Sequence, residues 1–170
     1  VPDLDAPTAL HFPSLRLRPA AIAQTIPLHN YFPMCGMNLA WRNMLTPAMY
    51  FGLFGPEYGF DQYDDIWAGV LVKKVLDHIG FAAVTGAPSV DHRKQSDVFA
   101  NLRKQAPGLE MNENFWVAVD RIQLNPVNQD IRDVYIELVD RLPDVIAGEP
   151  EGWTKKFKQA ALLWAGLFQI

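Results

Sequence analysis

Apolar residues at Ile66, Trp67, Val70, Leu71, Val75, Leu76 and Ile79 recur with a period of about 3.6 residues. The spacing predicts an amphipathic helix from about Asp65 to Ile79, with Lys73, Lys74 and Asp77 mainly off its apolar stripe. Asp64 stands where an N-cap belongs, and Gly80 where a C-terminal cap belongs. Phe81–Thr85 then reads as a strand, ended by Gly86-Ala87-Pro88.

The chain beyond this point is patterned as helices: Asp97–Gln105 ended by Pro107-Gly108, Glu113–Gln123, Ile131–Arg141 and Gly152–Phe168. Trp153, Phe157, Ala160, Ala161 and Trp164 repeat at helical spacing, which fits core packing better than a ligand cage. The first third is different. Pro2, Pro7, Pro13, Pro19, Pro27 and Pro33 interrupt it. Proline lacks a backbone donor and disfavours helix before it, so extended segments and turns are expected. Short strands fit Ala9–Phe12 and Ala23–Ile26, and a buried strand fits Met37–Trp41. Pro47–Phe54 is apolar on all sides, a short buried helix or an irregular turn closed by Gly55-Pro56.

Few strands early and helices late suggest α+β, or the tail end of an α/β domain. A sheet of two or three strands makes a poor core alone, which points to strands elsewhere. The opening VPDLDAPTAL, without Met, reads as cut from a longer protein, or as a processed chain.

The 170 residues suit about one domain. A net charge of −4 removes the broad basic footprint of nucleic-acid binders. No apolar run approaches the roughly 20 residues of a membrane span. The one cysteine, Cys35, allows no intrachain disulfide and fits a reducing compartment. A cytoplasmic location is expected, with peripheral membrane association left open. Cys35 has no histidine in local sequence reach and reads as a small buried hydrophobe. Phosphate-loop, dinucleotide-fingerprint and nucleophile-elbow motifs are absent.

Two stretches could carry chemistry. Asp64 and Asp65 open the main helix, where exposed N–H groups favour ionised acids without any function. They could equally bind a sugar hydroxyl or act as a base at a cleft. His92 lies in Asp91-His92-Arg93-Lys94-Gln95-Ser96, a polar loop. A neutral imidazole there can ligate a metal and Lys94 can meet a phosphate, but a solvated loop would hold the same residues.

As an ordered set, several stretches resemble one family. They are Val1–Thr8, Phe32–Ala40 with its CGMNLA core, Pro47–Leu53, Tyr63–Gly69, and His92-Arg93-Lys94 through Asn101-Leu102. Together they resemble the C-terminal half of the reversibly glycosylated polypeptides, the UDP-arabinopyranose mutases and their bacterial relatives. The likeness is strong to about residue 122 and weak from 123 to 170. It implies a division into 1–122, the C-terminal half of a GT-A-like nucleotide-sugar domain, and 123–170, a helical extension.

The resemblance further implies UDP-sugar chemistry with a divalent metal, Mn²⁺ or Mg²⁺, interconversion of UDP-arabinopyranose and UDP-arabinofuranose, and reversible self-glycosylation on an arginine. It also implies an oligomer. By position, His92 becomes the candidate metal ligand and Lys94 a diphosphate contact. Asp64 and Asp65 become sugar-facing carboxylates, while Gly36, Asn38 and Trp67 line the cleft, although Trp67 suits packing equally. The chain departs from the family in one respect. Asp3-Leu4-Asp5 aligns with a different family segment from the nucleotide-binding acidic motif, and Arg16, Arg18 and Arg42 do not match the modified arginine. The expectation is an N-terminal half, on the same polypeptide or as a companion subunit, without which UDP-sugar is not bound productively. A non-catalytic scaffold and a self-glycosylating transferase are the alternatives.

Overall fold

A computed structural model of the chain describes residues 5–12, 22–87, 90 and 97–168. Its central element is helix α2, Asp64–His78. The apolar stripe understates how deeply this helix is buried. Trp67 through Lys73 are buried without a break, as are Val75 and Leu76. Ala68, Gly69, Val72 and Lys73 lie off the expected stripe, so α2 is covered on more than one side. Helices α4, Leu109–Arg121, and α5, Ile131–Asp140, pack on it. The segment 27–36 also runs along it, held by contacts to α2. The helix ends as expected. Gly80 takes φ 73°, and Phe81 N–H closes back onto the Leu76 carbonyl at 2.9 Å.

The core beside α2 is aromatic. Trp67 stacks on Phe115 with ring centroids 4.9 Å apart and meets Trp153 edge-on at 5.2 Å. Trp153 in turn stacks on Phe157 at 4.9 Å. Both buried indole N–H groups find acceptors, Trp67 on Asn112 Oδ1 and Trp153 on the Leu53 carbonyl, each at 2.9 Å. Trp153 and Phe157 belong to α6, Trp153–Gly166, which packs on α5 and on a 3₁₀ helix, Asn43–Ala48. The Pro47–Phe54 stretch is therefore the end of that 3₁₀ helix followed by irregular chain.

The first third departs from expectation in two places. Ala9–Phe12 is no strand: α1, Ala6–His11, forms there. Asp5 caps it, accepting from Thr8 N at 2.8 Å and Thr8 Oγ1 at 2.7 Å, and Pro7 occupies the first turn, where its missing donor costs nothing. Met37–Trp41 is also no strand. Asn38 N–H reaches back to the Cys35 carbonyl at 3.2 Å, making a turn, and no ladder partner adjoins it among the described residues.

Strand β1, Gln24–Thr25, pairs antiparallel with β2, Val84–Thr85, in the only sheet among the described residues. Both are shorter than the sequence pattern suggests. Helix α3, Val98–Gln105, is capped by Asp97 and runs through a 3₁₀ turn, Ala106–Gly108, directly into α4. Pro107 marks this junction rather than a stop, and α4 starts four positions before the predicted Glu113 (113 − 109). The architecture is α+β and mostly helical. No helix among the described residues is long and apolar enough to cross a membrane.

Candidate functional site

The chain enters α2 through a compact set of turns. Gly59 takes φ 82° and Gln62 takes φ 70°, both left-handed. Asp61 Oδ1 accepts from Gln62 N–H at 2.9 Å, which supports that unusual backbone. The Gln62 side chain then joins a polar relay. Its Nε2 donates to Asn101 Oδ1 at 3.2 Å, and its Oε1 accepts from Gln105 Nε2 at 2.9 Å. Gln105 Oε1 accepts from Ala6 N–H at 2.8 Å. Three separate pieces of chain, α1, α3 and the lead-in to α2, are thereby fixed to one another.

Tyr63, rather than Asp64, is the N-cap of α2, and its side chain makes no capping bond. Packing sets the helix entry instead. The Tyr63 ring stacks on Trp67 at 5.0 Å and its hydroxyl donates to the Gln105 carbonyl at 2.8 Å. Burial, then the charge of Asp5, pushes the Tyr63 hydroxyl up to about 12. Asp64 and Asp65 follow as first-turn residues, where the helix dipole favours carboxylates.

The two acids have different surroundings. Asp64 is exposed. Asp65 is half-buried, and its Oδ2 accepts from Gly36 N–H at 2.9 Å. The resemblance motif CGMNLA is therefore brought directly onto Asp65, the second acid of the pair, across 29 positions of sequence. Gly36, Met37 and Asn38 are exposed in the turn so formed, and Cys35 is half-buried without a disulfide.

Trp67 lies elsewhere. Its ring is 1 % exposed, with Tyr63 and Phe115 stacked against it, so its surface belongs to the core. His92 and Lys94 lie outside the described residues. Among the described residues no group of three or more His, Cys, Asp and Glu side chains is gathered for a metal ion. The described acids thus do not make a metal site by themselves. A cleft of about 310 Å³ lined by Pro56, Glu57, Tyr58, Gly59, Pro150 and Lys156, among others, contains none of the predicted site residues.

Several polar anchors were not singled out in the sequence. Tyr31 donates to Asp120 Oδ1 at 3.0 Å, and burial, then this bond, raises its pKa. Lys74 Nζ donates to the Asp120 carbonyl at 2.8 Å. Lys73 is 2 % exposed, pairs with Asp77, and donates to the Pro27 carbonyl at 2.9 Å. The Lys73–Asp77 spacing of four was the one legible signal.

The family model for reversibly glycosylated polypeptides matches residues 1–169, and the chain belongs to that family. It is 41% identical over 140 residues to UDP-arabinopyranose mutase 1 of Arabidopsis thaliana, covering 81% of this chain and 39% of that protein. It is 37% identical over 166 residues to probable UDP-arabinopyranose mutase 4 of Arabidopsis thaliana and to probable UDP-arabinopyranose mutase 1 of Pisum sativum, covering 96% of this chain and 45% of each. The chain thus spans less than half the length of these curated relatives.

Proposed function

We propose that this chain supplies part of a UDP-sugar mutase that interconverts UDP-arabinopyranose and UDP-arabinofuranose. Membership of a family whose curated relatives are named UDP-arabinopyranose mutases carries the reading. The meeting of the Cys35–Asn38 turn with Asp65 supports it, because it draws two separated family motifs to one place. The remaining machinery belongs, on this reading, to a GT-A-like N-terminal half, either continuous with this chain or a companion subunit. The self-glycosylated arginine is placed in that half. A divalent metal, Mn²⁺ or Mg²⁺, would neutralise the diphosphate, with His92 as this chain's ligand and Lys94 beside the phosphates.

Ring interconversion forms a bond from the sugar's O4 to C1 and breaks the bond from O5 to C1. One proton leaves O4 and one is gained at O5, so a carboxylate that takes the first and returns the second completes the balance. Asp64, exposed at the start of α2, suits that shuttle.

The test is to combine the chain with a polypeptide matching the relatives' remaining length and to follow UDP-arabinose ring forms by chromatography. Turnover by the combination is expected, and Asp64→Asn should lower it by about 100-fold or more. UDP-sugar binding that is unaffected by Asp64→Asn, with no turnover by the parent combination, would instead favour a non-catalytic interaction subunit. The exposed apolar side chains Ile22, Leu28, Trp41 and Val84 give that second reading its support.

A further inference from the structure

Four residues of α2 at intervals of four, Asp65, Gly69, Lys73 and Asp77, touch the segment 27–36. Asp65 accepts from Gly36 N–H at 2.9 Å. A Cβ on Gly69 would stand 2.7 Å from Met34 N and 2.9 Å from the Phe32 carbonyl oxygen, so only glycine lets the backbone lie this close. Lys73 donates to the Pro27 carbonyl at 2.9 Å, and Asp77 accepts from His29 N–H at 3.0 Å. The row i, i+4, i+8, i+12 is one ridge of a helix. The polar members of this ridge bind peptide groups of the segment rather than its side chains. The side chains of Leu28 and Phe32 within the segment are left exposed.

We infer that this ridge is a backbone clamp and that Asp65, its first member, is a positioning residue: it holds the Gly36 amide, fixes the Cys35–Asn38 turn and presents it beside Asp64. The inference rests on the mutase reading for what the turn is presented to, but not for the clamp. Asp64 and Asp65 then divide the work. Asp64 meets the sugar, and Asp65 acts through the turn. A hydrogen bond from a backbone amide to a carboxylate is among the stronger kinds, so one such bond can hold a short exposed turn in place. The turn's own closure, Asn38 N–H to the Cys35 carbonyl at 3.2 Å, is weaker and lies beyond the clamp. Tyr31, tied to Asp120, fixes the same segment upstream and keeps it from sliding along the ridge.

The experiment has two arms. In the chain alone, hydrogen exchange at the Gly36 amide is compared in the parent, Asp65→Ala and Asp64→Ala. Exchange should rise by about tenfold or more in Asp65→Ala and stay within about twofold in Asp64→Ala. In the active combination, Asp65→Ala should raise KM for the UDP-sugar by about tenfold while kcat changes less than about threefold. Asp65→Asn keeps a carbonyl oxygen for the amide and should recover KM to within about threefold of the parent. Unchanged Gly36 exchange in Asp65→Ala overturns the clamp. A fall in kcat in Asp65→Asn as large as in Asp64→Asn overturns the division of roles and makes Asp65 a second catalytic acid. Absence of turnover in the parent combination counts against the mutase reading, and the exchange arm still decides whether Asp65 holds the turn.

Discussion

Gly69 and Gly166 both lie in helices, yet a methyl group would act on them in opposite directions. At Gly69 the added Cβ meets the backbone of Met34 and Phe32 inside 3 Å, and neither atom is the far end of a flexible side chain. Gly69→Ala should lower stability by about 1–3 kcal/mol, read as a lower urea midpoint with an unchanged slope. At Gly166, the last residue of α6, nothing stands within 4 Å of the Cβ position, and Gly166→Ala should raise stability by about 0.4–1 kcal/mol in the same assay. Tyrosines give a second test at this scale. Tyr31, Tyr50, Tyr63 and Tyr135 all have raised pKa values, with burial the largest cause for each. For Tyr63 the unfolded hydroxyl ionises near 10 and the folded one at about 12. Above pH 10 the folded state therefore holds more protons than the unfolded state, and stability falls as pH rises. This contribution is fully present below pH 10 and is lost as pH climbs through 12. Tyr63→Phe should cost about 1 kcal/mol at neutral pH through the lost bond to Gln105, and should make the decline above pH 10 shallower in denaturant titrations.

Elements were legible in the sequence where the signal is local. The limits of α2, α5 and α6 lie within about two residues of those the spacing predicts, because the period marks all three, Gly80 and Gly152 flank α2 and α6, and Asp130 caps α5. One failed reading had a local signal, since Asp5 and Pro7 mark the start of α1 where a strand was expected, but others depended on distant chain. Asp64 has the composition of a cap, but Tyr63 takes the position because its ring and hydroxyl are held by Trp67 and Gln105. Lys73 counts as polar along the sequence and is buried in the structure, because the Pro27 carbonyl and Asp77 lie over it. The candidate site was legible as two motifs but not as a contact, since nothing local links Gly36 to a residue 29 positions on. The buried Lys73 yields a prediction for the element. Lys73→Met would leave Asp77 with His29 N–H as its one remaining bond among those described above, and would take the donor from Pro27. Breaking a buried pair by removing one partner costs about 3–5 kcal/mol. That loss should show in urea denaturation, and amide exchange at His29 should rise in the same variant while exchange within α5 follows only the global change.

Across the whole molecule, apolar exposure is uneven in a way that bears on the proposed second half. Ile22, Leu28, Phe32, Met37, Trp41 and Met44 are exposed along one stretch, and Phe81 and Val84 of the β2 arm are exposed as well. The β1–β2 ribbon has only two residues in each strand, and a lone two-stranded ribbon is marginal in water. The clamp on α2 explains how the stretch stays in place without burying these side chains, since its polar contacts are to the backbone. What the clamp does not supply is a cover for them. A polypeptide matching the more than half of each relative that this chain does not span would provide one on the proposed reading. Trp41, 43% exposed, can report that event together with Trp116, 41% exposed, whereas Trp67 and Trp153 are already buried at 1%. Combining the two polypeptides should shift tryptophan emission to shorter wavelength and protect amides across residues 22–44 from exchange. Trp41→Phe should reduce the shift more than Trp116→Phe does, since Trp41 lies within the stretch to be covered, and should keep the protection. Leu28→Glu, placing a charge where an apolar contact is expected, should weaken association by about tenfold or more, since each 1.4 kcal/mol is about tenfold in affinity. The same variant should leave the helical circular dichroism of the chain unchanged, because Leu28 is 60% exposed and carries little of the core. Protection confined to the outer face of α6, where Leu163 and Leu167 are exposed, would place the contact on the opposite end of the sequence and refute this assignment of the covered face.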